Sequence, residues 1–422
     1  MANKQAGSLM KNLYLSRYAY PETLINEPVA AELDAIVTIP CFKEENLIES
    51  LESLKNCERE GLSIEVIILI NEANNATNDI TSINTKAFEE ALLWAKTHSE
   101  PAFKVFPLYI NDLKPKHAGV GLARKIAMDE AVRRFESISK PDGIIICYDA
   151  DSRCDSNYLQ SVIAYFQDHP KCPGASIYFE HPLEGYYPDE IYEAIIDYEL
   201  FLRYYVNGLR YAGFPYAYET IGSSMAVRSN AYQKQGGMNK RKAGEDFYFL
   251  HKIIPLGQFG EINNTKVIPS PRKSDRVPFG TGKAVNEWLK SKNLDTYHPQ
   301  IFEELKGFIY HVPGFFNNSN IEAIIESFPA SIKAFLYEKE FTKNLARINK
   351  NAASDETFLK QFYQWFDGFM VLKYVHFARD HYHSNIPIRE AAKKLLSMQG
   401  LEPADNSKDL LLQYRKHDSA FS

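Results

Sequence analysis

Five short apolar runs mark the first half of the chain: DAIVTIP (34–40), IEVIILI (64–70), FKVFPLYI (103–110), GIIICYD (143–149) and GASIYFE (174–180). Each is nearly continuous rather than alternating, the pattern of strands covered on both faces in a parallel sheet. Between them lie ENLIESLESLKNC, INTKAFEEALLWAKT, GLARKIAMDEAVRRF and SNYLQSVIAYFQDH, which are amphipathic at helical spacing. The alternation predicts an α/β fold: an open, mostly parallel twisted sheet flanked by helices, with right-handed crossovers. Ligands bind such sheets outside the carboxyl ends of the strands. The loops PCFKEEN, NEANNAT and DADS each follow a strand directly and are the places to look.

The pattern changes after residue 185. A long aromatic helical segment, YYPDEIYEAIIDYELFLRYYVNGLRY, precedes ETIGSSMAVRS, QGGMNKRKAGEDFYFLHKI and the basic loop KVIPSPRKSDRVPFGTGKA. From about residue 290 the chain reads as mainly helical. This divides it into an N-terminal extension (1–33), an α/β domain (34–290) and a helical C-terminal region (291–422). The segment FYQWFDGFMVLKYVHFARDHYH admits an acceptor platform, a dimer face or a membrane contact, but aromatic core is the first reading.

With 422 residues, 45% hydrophobic and 24% charged, the chain has the composition of a globular protein of two or three domains, neither disordered nor fibrous. A net charge of −6 creates no field that collects nucleic acid. Cys41, Cys57, Cys147, Cys154 and Cys172 lack metal-site spacing and read as reduced thiols. No segment reads as a signal peptide or a membrane span. A cytoplasmic location is expected, with peripheral contact at the inner face of the membrane left open.

The chemistry begins with Asp149 and Asp151 at the end of the fourth run. As alternate residues on a strand end they face one side, and their mutual repulsion is relieved by a hard divalent cation. The alternative is an acidic turn, or an N-cap for the next helix with Asp155 as the cap. In KHAGVGLARKIAMDEA, two glycines open a helix beside Lys116, His117, Arg124 and Lys125, which suits an anion or a plain amphipathic helix equally. Glu245 and Asp246 stand at a helix start, where the dipole favours carboxylates. They also suit a general base. The segment PSPRKSDRVPFGTGK is either a phosphate-closing loop or an exposed one.

Together VTIPCFKEEN, INEANNAT, GLARKIAMDEA, YDADS, IGSSMAVRS with GGM, and GEDF resemble the family 2 glycosyltransferases, inverting enzymes of the GT-A fold that use nucleotide-sugar donors. The resemblance covers roughly residues 34–280. It implies that Pro40, Phe42 and Glu44 line the nucleobase and ribose pocket and that Glu72 stands where the family has an aspartate. Arg124 is implied near the nucleobase or diphosphate, Asp149 at the ribose or a metal-bound water, and Asp151 at the Mg²⁺ or Mn²⁺ ion. Asp246 is the implied base with Glu245 beside it, and Asp275, less well His251, is a third metal ligand.

Asn71 and Glu72 replace the family's common Asp-Asp-Gly-Ser run, so uracil preference is not implied. The QxxRW-type segment of processive synthases is missing, which favours transfer of one sugar to a hydroxyl acceptor: a glycan, a lipid-linked sugar or a small molecule. The alternatives are a retaining GT-A enzyme making a small glycosylated solute and a non-catalytic sugar-nucleotide binding module. A nucleotidyltransferase lacks support, because PCFKEEN supplies no Gly-rich basic signature after the first strand.

Overall fold

The computed structural model describes residues 12–274, 276 and 280–420. In chain order the elements are α1 Leu13–Arg17, β1 Ala35–Cys41, α2 Leu47–Lys55, β2 Ile64–Ala73, α3 Asn78–His98, β3 Phe103–Leu113, α4 Val120–Ser137, β4 Ile144–Cys147, β5 Arg153–Cys154, α5 Tyr158–Asp168 and β6 Gly174–Phe179. There follow α6 Asp189–Tyr211, β7 Met225–Arg228, α7 Ser229–Lys234, α8 Glu245–Ile253, β8 Gly260–Ile268, α9 Thr281–Ser291, β9 Asp295–Thr296 and α10 Gln300–His311. The chain ends with α11 Ile321–Ser327, α12 Ala330–Glu338, α13 Phe341–Asn351, α14 Asp355–Trp365, α15 Gly368–His381, β10 Ile386–Pro387, α16 Ile388–Met398 and α17 Ser407–Ser419. The expected α/β sheet flanked by helices and the mainly helical C-terminal region are both present.

Eight strands form one sheet in the order β3-β2-β1-β4-β7-β6-β8-β5. The first four apolar runs pair in parallel, with Val37 beside Val66 and Ile146, and Val66 beside Val105. Every residue of β1 and β4 is buried, as helices on both faces require. The sheet is more mixed than the sequence pattern implies. β7 is antiparallel to both β4 and β6, so β6 keeps the sense of the first four strands with one reversed strand between.

Backbone compactness divides the chain into two units. One runs to Ile177 and includes Ile221–Ile253 and Gln258–Val267; the other comprises Tyr178–Thr220, Ile254–Gly257 and the residues from Ile268 onward. The long helix α6 thus groups with the C-terminal helices.

In the first unit the N-terminal segment is strapped onto α4. The buried carboxylate of Asp129 accepts hydrogen bonds from Tyr14 Oη at 2.6 Å, Tyr232 Oη at 2.8 Å, Lys125 Nζ at 2.9 Å and the Tyr20 amide at 2.7 Å. Next along the helix, Glu130 accepts from the amides of Leu24 and Ile25 at 3.2 and 3.1 Å. These donors satisfy carboxylates that would otherwise be costly inside the protein.

The second unit is an aromatic core. Phe308 meets Phe366 at 5.0 Å between ring centroids, Phe328 at 5.7 Å and Phe341 at 6.0 Å, in tilted and edge-on pairs. Phe358, Phe362, Phe366, Tyr374 and Val375 are also buried there, so most of the aromatic segment over α14 and α15 is core. No helix among the described residues is long and apolar enough to cross a membrane.

An ionic network pins α17 to α6. Glu199 Oε1 accepts from Arg203 Nε and Arg415 Nε, both at 2.8 Å, and its Oε2 accepts from Arg415 Nη2 at 2.7 Å and the His181 amide at 2.8 Å. Asp418 accepts from Arg203 at 2.6 Å, Asn207 at 2.8 Å and Arg210 at 3.1 Å. Burial opposes the charge on Glu199, but Arg203, His181 and Arg415 hold its carboxyl well below the ordinary range. Breaking a buried pair by removing one partner costs about 3–5 kcal/mol. Arg415→Ala is expected to lower the denaturation midpoint by that order, read by urea titration. Because Glu199 is depressed in the fold, its contribution is present above the unfolded carboxylate pKa of about 4.3 and is lost as pH falls through the folded value. Wild-type stability should therefore decline on acidification below about pH 5.

Candidate functional site

The residues singled out in the sequence stand at the carboxyl ends of β1, β2 and β4 and at the starts of α4 and α8. Pro40 is the sixth residue of β1 and is buried, with the half-buried Phe42 just past the strand end. Glu44 is buried at 1% exposure, and its Oε1 accepts the Asn46 amide at 2.9 Å, bracing the turn into α2.

Glu72 lies within β2, not in the loop after it. Its carboxylate accepts from Thr81 Oγ1 at 2.6 Å, Asn84 Nδ2 at 2.9 Å and Tyr109 Oη at 2.6 Å. Burial raises its pKa, but these donors outweigh burial and keep the group below the usual carboxylate range. Glu72 therefore ties β2 to α3 and β3. Nothing in the sequence singled out Thr81, Asn84 or Tyr109 as its partners.

The DADS segment is a turn and not a continued strand. β4 stops at Cys147, and the Ser152 amide donates to the Asp149 carbonyl at 3.1 Å. Strand alternation thus ends before the two aspartates, and their separation is set by turn geometry. Asp155 is not the cap of the following helix. Asn157 holds that position, and the Asp155 carbonyl accepts the Tyr158 amide at 3.1 Å.

Arg124, in the second turn of α4, organises the site from inside. It is 2% exposed and donates three ways: Nη2 to Asp149 Oδ1 at 3.0 Å, Nε to Glu245 Oε1 at 3.3 Å and Nη1 to the Gly222 carbonyl at 2.8 Å. Burial disfavours its charge, yet the carboxylates of Asp149, Glu245 and Asp246 outweigh burial and hold it above the ordinary guanidinium range. A planar fork can serve three acceptors in different directions, which a lysine ammonium on a flexible stem does less well.

Glycines allow these approaches. A Cβ on Gly222 would lie 2.8 Å from Arg124 Nη2 and 3.0 Å from Asp246 Oδ2. A Cβ on Gly121 would lie 2.2 Å from the Arg241 carbonyl. The second glycine of GVG therefore admits neighbouring backbone against α4, a packing reason distinct from anion binding.

Glu245 and Asp246 are the first two residues of α8. Burial and the neighbouring Asp246 charge push the Glu245 carboxyl up to about 7, against the pull of Arg124. Asp246 is raised as well, by burial first, with Arg124 opposing; its Oδ1 accepts the Phe247 amide at 2.8 Å. Two adjacent acids, both shifted upward by burial beside a fixed cation, suit proton transfer.

The geometry thus brings together Asp149, Arg124, Glu245 and Asp246. Asp151 follows within the same turn and is half-buried. His251 lies in the second turn of α8, its Nδ1 paired with the Phe247 carbonyl at 2.8 Å. Asp275 lies outside the described residues. No group of three or more His, Cys, Asp or Glu side chains arranged to hold a metal occurs among the described residues.

No protein-family model and no curated protein sequence matches this chain. Among solved structures, the chain is similar to residues 1–349 of TarS from S. aureus in complex with UDP-GlcNAc, at 13% identity and a TM-score of 0.40, over 79% of this chain and 92% of that one. It is also similar to the mannosyltransferase PcManGT from Pyrobaculum calidifontis in complex with GDP-Man and Mn²⁺, at 14% identity and a TM-score of 0.34, over 81% and 92% of the two chains.

Two substitutions test the Arg124 hub. Arg124→Lys keeps a charge but not the three-way fork, and Gly222→Ala forces a methyl against the guanidinium and Asp246. Each is expected to destabilise the protein by about 1–3 kcal/mol, the range for a buried polar group left unpaired, read by the denaturation midpoint.

Proposed function

We propose that the chain is a glycosyltransferase that moves a single sugar from a nucleoside-diphosphate sugar to a hydroxyl acceptor with inversion at the anomeric carbon. The observation that carries this reading is the Arg124 guanidinium bonded at once to Asp149, in the turn after β4, and to Glu245 beside Asp246. One buried cation thereby fixes a metal-type carboxylate turn and a candidate base pair to the same point.

A divalent cation suits the chemistry of this turn. Asp149 Oδ1 accepts from Arg124 and its side chain is 39% exposed, and Asp151 adds a second carboxylate within the same turn. Mg²⁺ and Mn²⁺ need no more, since they commonly take one or two carboxylates and complete their shell with water and substrate phosphates. Asp151 is the proposed direct ligand, with Asp149 beside it and Asp275 a further proposed one. When bound, such an ion supplies charge stabilisation for a leaving diphosphate.

The chain's own residues do the rest. Asp246 takes the proton of the acceptor hydroxyl as its oxygen bonds the anomeric carbon. The bond from that carbon to the diphosphate oxygen breaks on the opposite face. Glu245, raised to about 7 by burial and by the neighbouring Asp246 charge, is itself held by Arg124. Arg124 is a positioning residue in this reading, because its fork is spent inside the protein. Pro40, Phe42, Glu44 and Glu72 shape the nucleoside end of the pocket, with Glu72 acting through the β2 to α3 connection.

The test is a panel of UDP-, GDP- and dTDP-sugars with and without Mn²⁺, read by nucleoside diphosphate release and thermal shift. Metal-dependent release with one donor is expected; a flat panel in both readouts overturns the reading. Asp246→Asn should lower turnover by about 10²–10⁴-fold while donor-induced stabilisation survives. Retained anomeric configuration in the product, seen by NMR, would replace the inverting mechanism with the retaining one.

The rate should also follow the acid pair. With the folded pKa of Glu245 raised to about 7, that carboxyl is deprotonated only as pH rises through neutrality, and burial shifts Asp246 in the same direction. Turnover is expected to climb with pH toward a plateau above about 7, and this limb should flatten in Glu245→Gln.

A further inference from the structure

Cys57 and Cys154 are 97 positions apart in the chain, yet their Sγ atoms lie 3.6 Å apart. Cys57 follows the C-terminal end of α2 and is 5% exposed, whereas Cys154 ends β5 and is half-buried. The backbone around them is already joined. The Cys154 amide donates to Ser53 Oγ at 2.9 Å, and the Glu58 amide donates to the Ser156 carbonyl at 2.7 Å. The sulfurs therefore meet because the end of α2 and β5 are held together.

We propose that Cys57 and Cys154 form a dithiol site that takes up a two-electron oxidant of the peroxide class and closes to a disulfide. Cys154 is the attacking sulfur, its residue being the more exposed of the two. Hydrogen bonding from Cys57, opposed by burial and reinforced by Ser53, holds the Cys154 thiol below its ordinary range. The thiolate is the reactive form of cysteine. Cys57 is displaced in the other direction by its hydrogen bond to Cys154 and by burial, which leaves Cys154 the thiolate of the pair.

The chemistry balances. Cys154 thiolate attacks one peroxide oxygen and the O–O bond breaks. This gives a sulfenic acid and, after protonation, one water. Cys57 sulfur then attacks the Cys154 sulfur, the S–O bond breaks, and a second water leaves. Two thiols and one peroxide become one disulfide and two waters, and an added dithiol reverses the change. The bond would tie the segment just after the Asp149–Ser152 turn covalently to α2, independently of what the protein transfers.

The test uses the full chain, treated with one to a few equivalents of hydrogen peroxide, unfolded without reductant, alkylated, digested and mapped by mass spectrometry. The expected result is a peptide cross-linked through Cys57 and Cys154, with both sites lost to alkylation. Cys41, Cys147 and Cys172 should remain alkylated as before, and dithiothreitol should restore the pair. Recovery of both cysteines in alkylated form overturns the proposal, as does Cys154 sulfinate or sulfonate with Cys57 still free. In Cys57→Ser, dimedone should trap a sulfenic acid at Cys154. In Cys154→Ser, Cys57 should stay alkylatable at the same peroxide dose; its oxidation at the wild-type rate would overturn the assignment of Cys154 as attacker.

Discussion

A single guanidinium, buried almost completely, governs how the first unit is put together. Taking an ion of that size out of solvent costs several kcal/mol even after relaxation, so it survives only where acceptors surround it. Arg124 has a carboxylate from the turn after β4, a carboxylate from the start of α8 and a carbonyl from the segment before β7. Each acceptor comes from a different part of the chain, and none can shift without stranding the cation. The helix that carries Arg124 is fixed in turn one to two turns further along. There Asp129 and Glu130 collect donors from the N-terminal segment and from α7. The segment from Tyr14 to Ile25 thereby supports the position of Arg124 through α4.

The two units are stabilised by different means. The first relies on buried strands and on charges neutralised within α4 and around it. The second gathers phenylalanines from α10 and α12 to α15 and closes them under α17 with the Glu199 and Asp418 network. In both, long-range ionic contacts decide where helices lie, while apolar burial supplies most of the stability.

How much of this was legible in the sequence depends on the range of the interaction. The four parallel strands and the helices between them follow from uninterrupted apolar runs and helical spacing, which are local signals. The reversed strand β7 does not, because MAVR is four residues long and carries no periodicity to read. At the site, the positions of Glu245 and Asp246 at a helix start were legible from composition. The turn at Asp149 was legible only as one of two readings, since extended and turned backbone give the same letters DADS. The fate of Arg124 was not legible. Its partners lie 25, 98 and 121 positions away, and nothing in GLARK distinguishes an interior clamp from a surface cation. Glu72 is similar, its donors Thr81, Asn84 and Tyr109 being ordinary residues until β2, α3 and β3 are assembled.

The reversal of β7 also bears on which unit sets the charged centre. Because β7 is antiparallel to β6, the Ile177 amide at the end of one strand donates to the Ser224 carbonyl at the start of the other, at 2.8 Å. The residues between, Tyr178–Thr220, group with the second unit, while Ile177 and Ser224 remain in the first. The strand register that delivers the Gly222 carbonyl to Arg124 is therefore set inside the first unit. A change in α6 is felt instead by the Glu199 and Asp418 network and by the aromatic core that the helix helps to build.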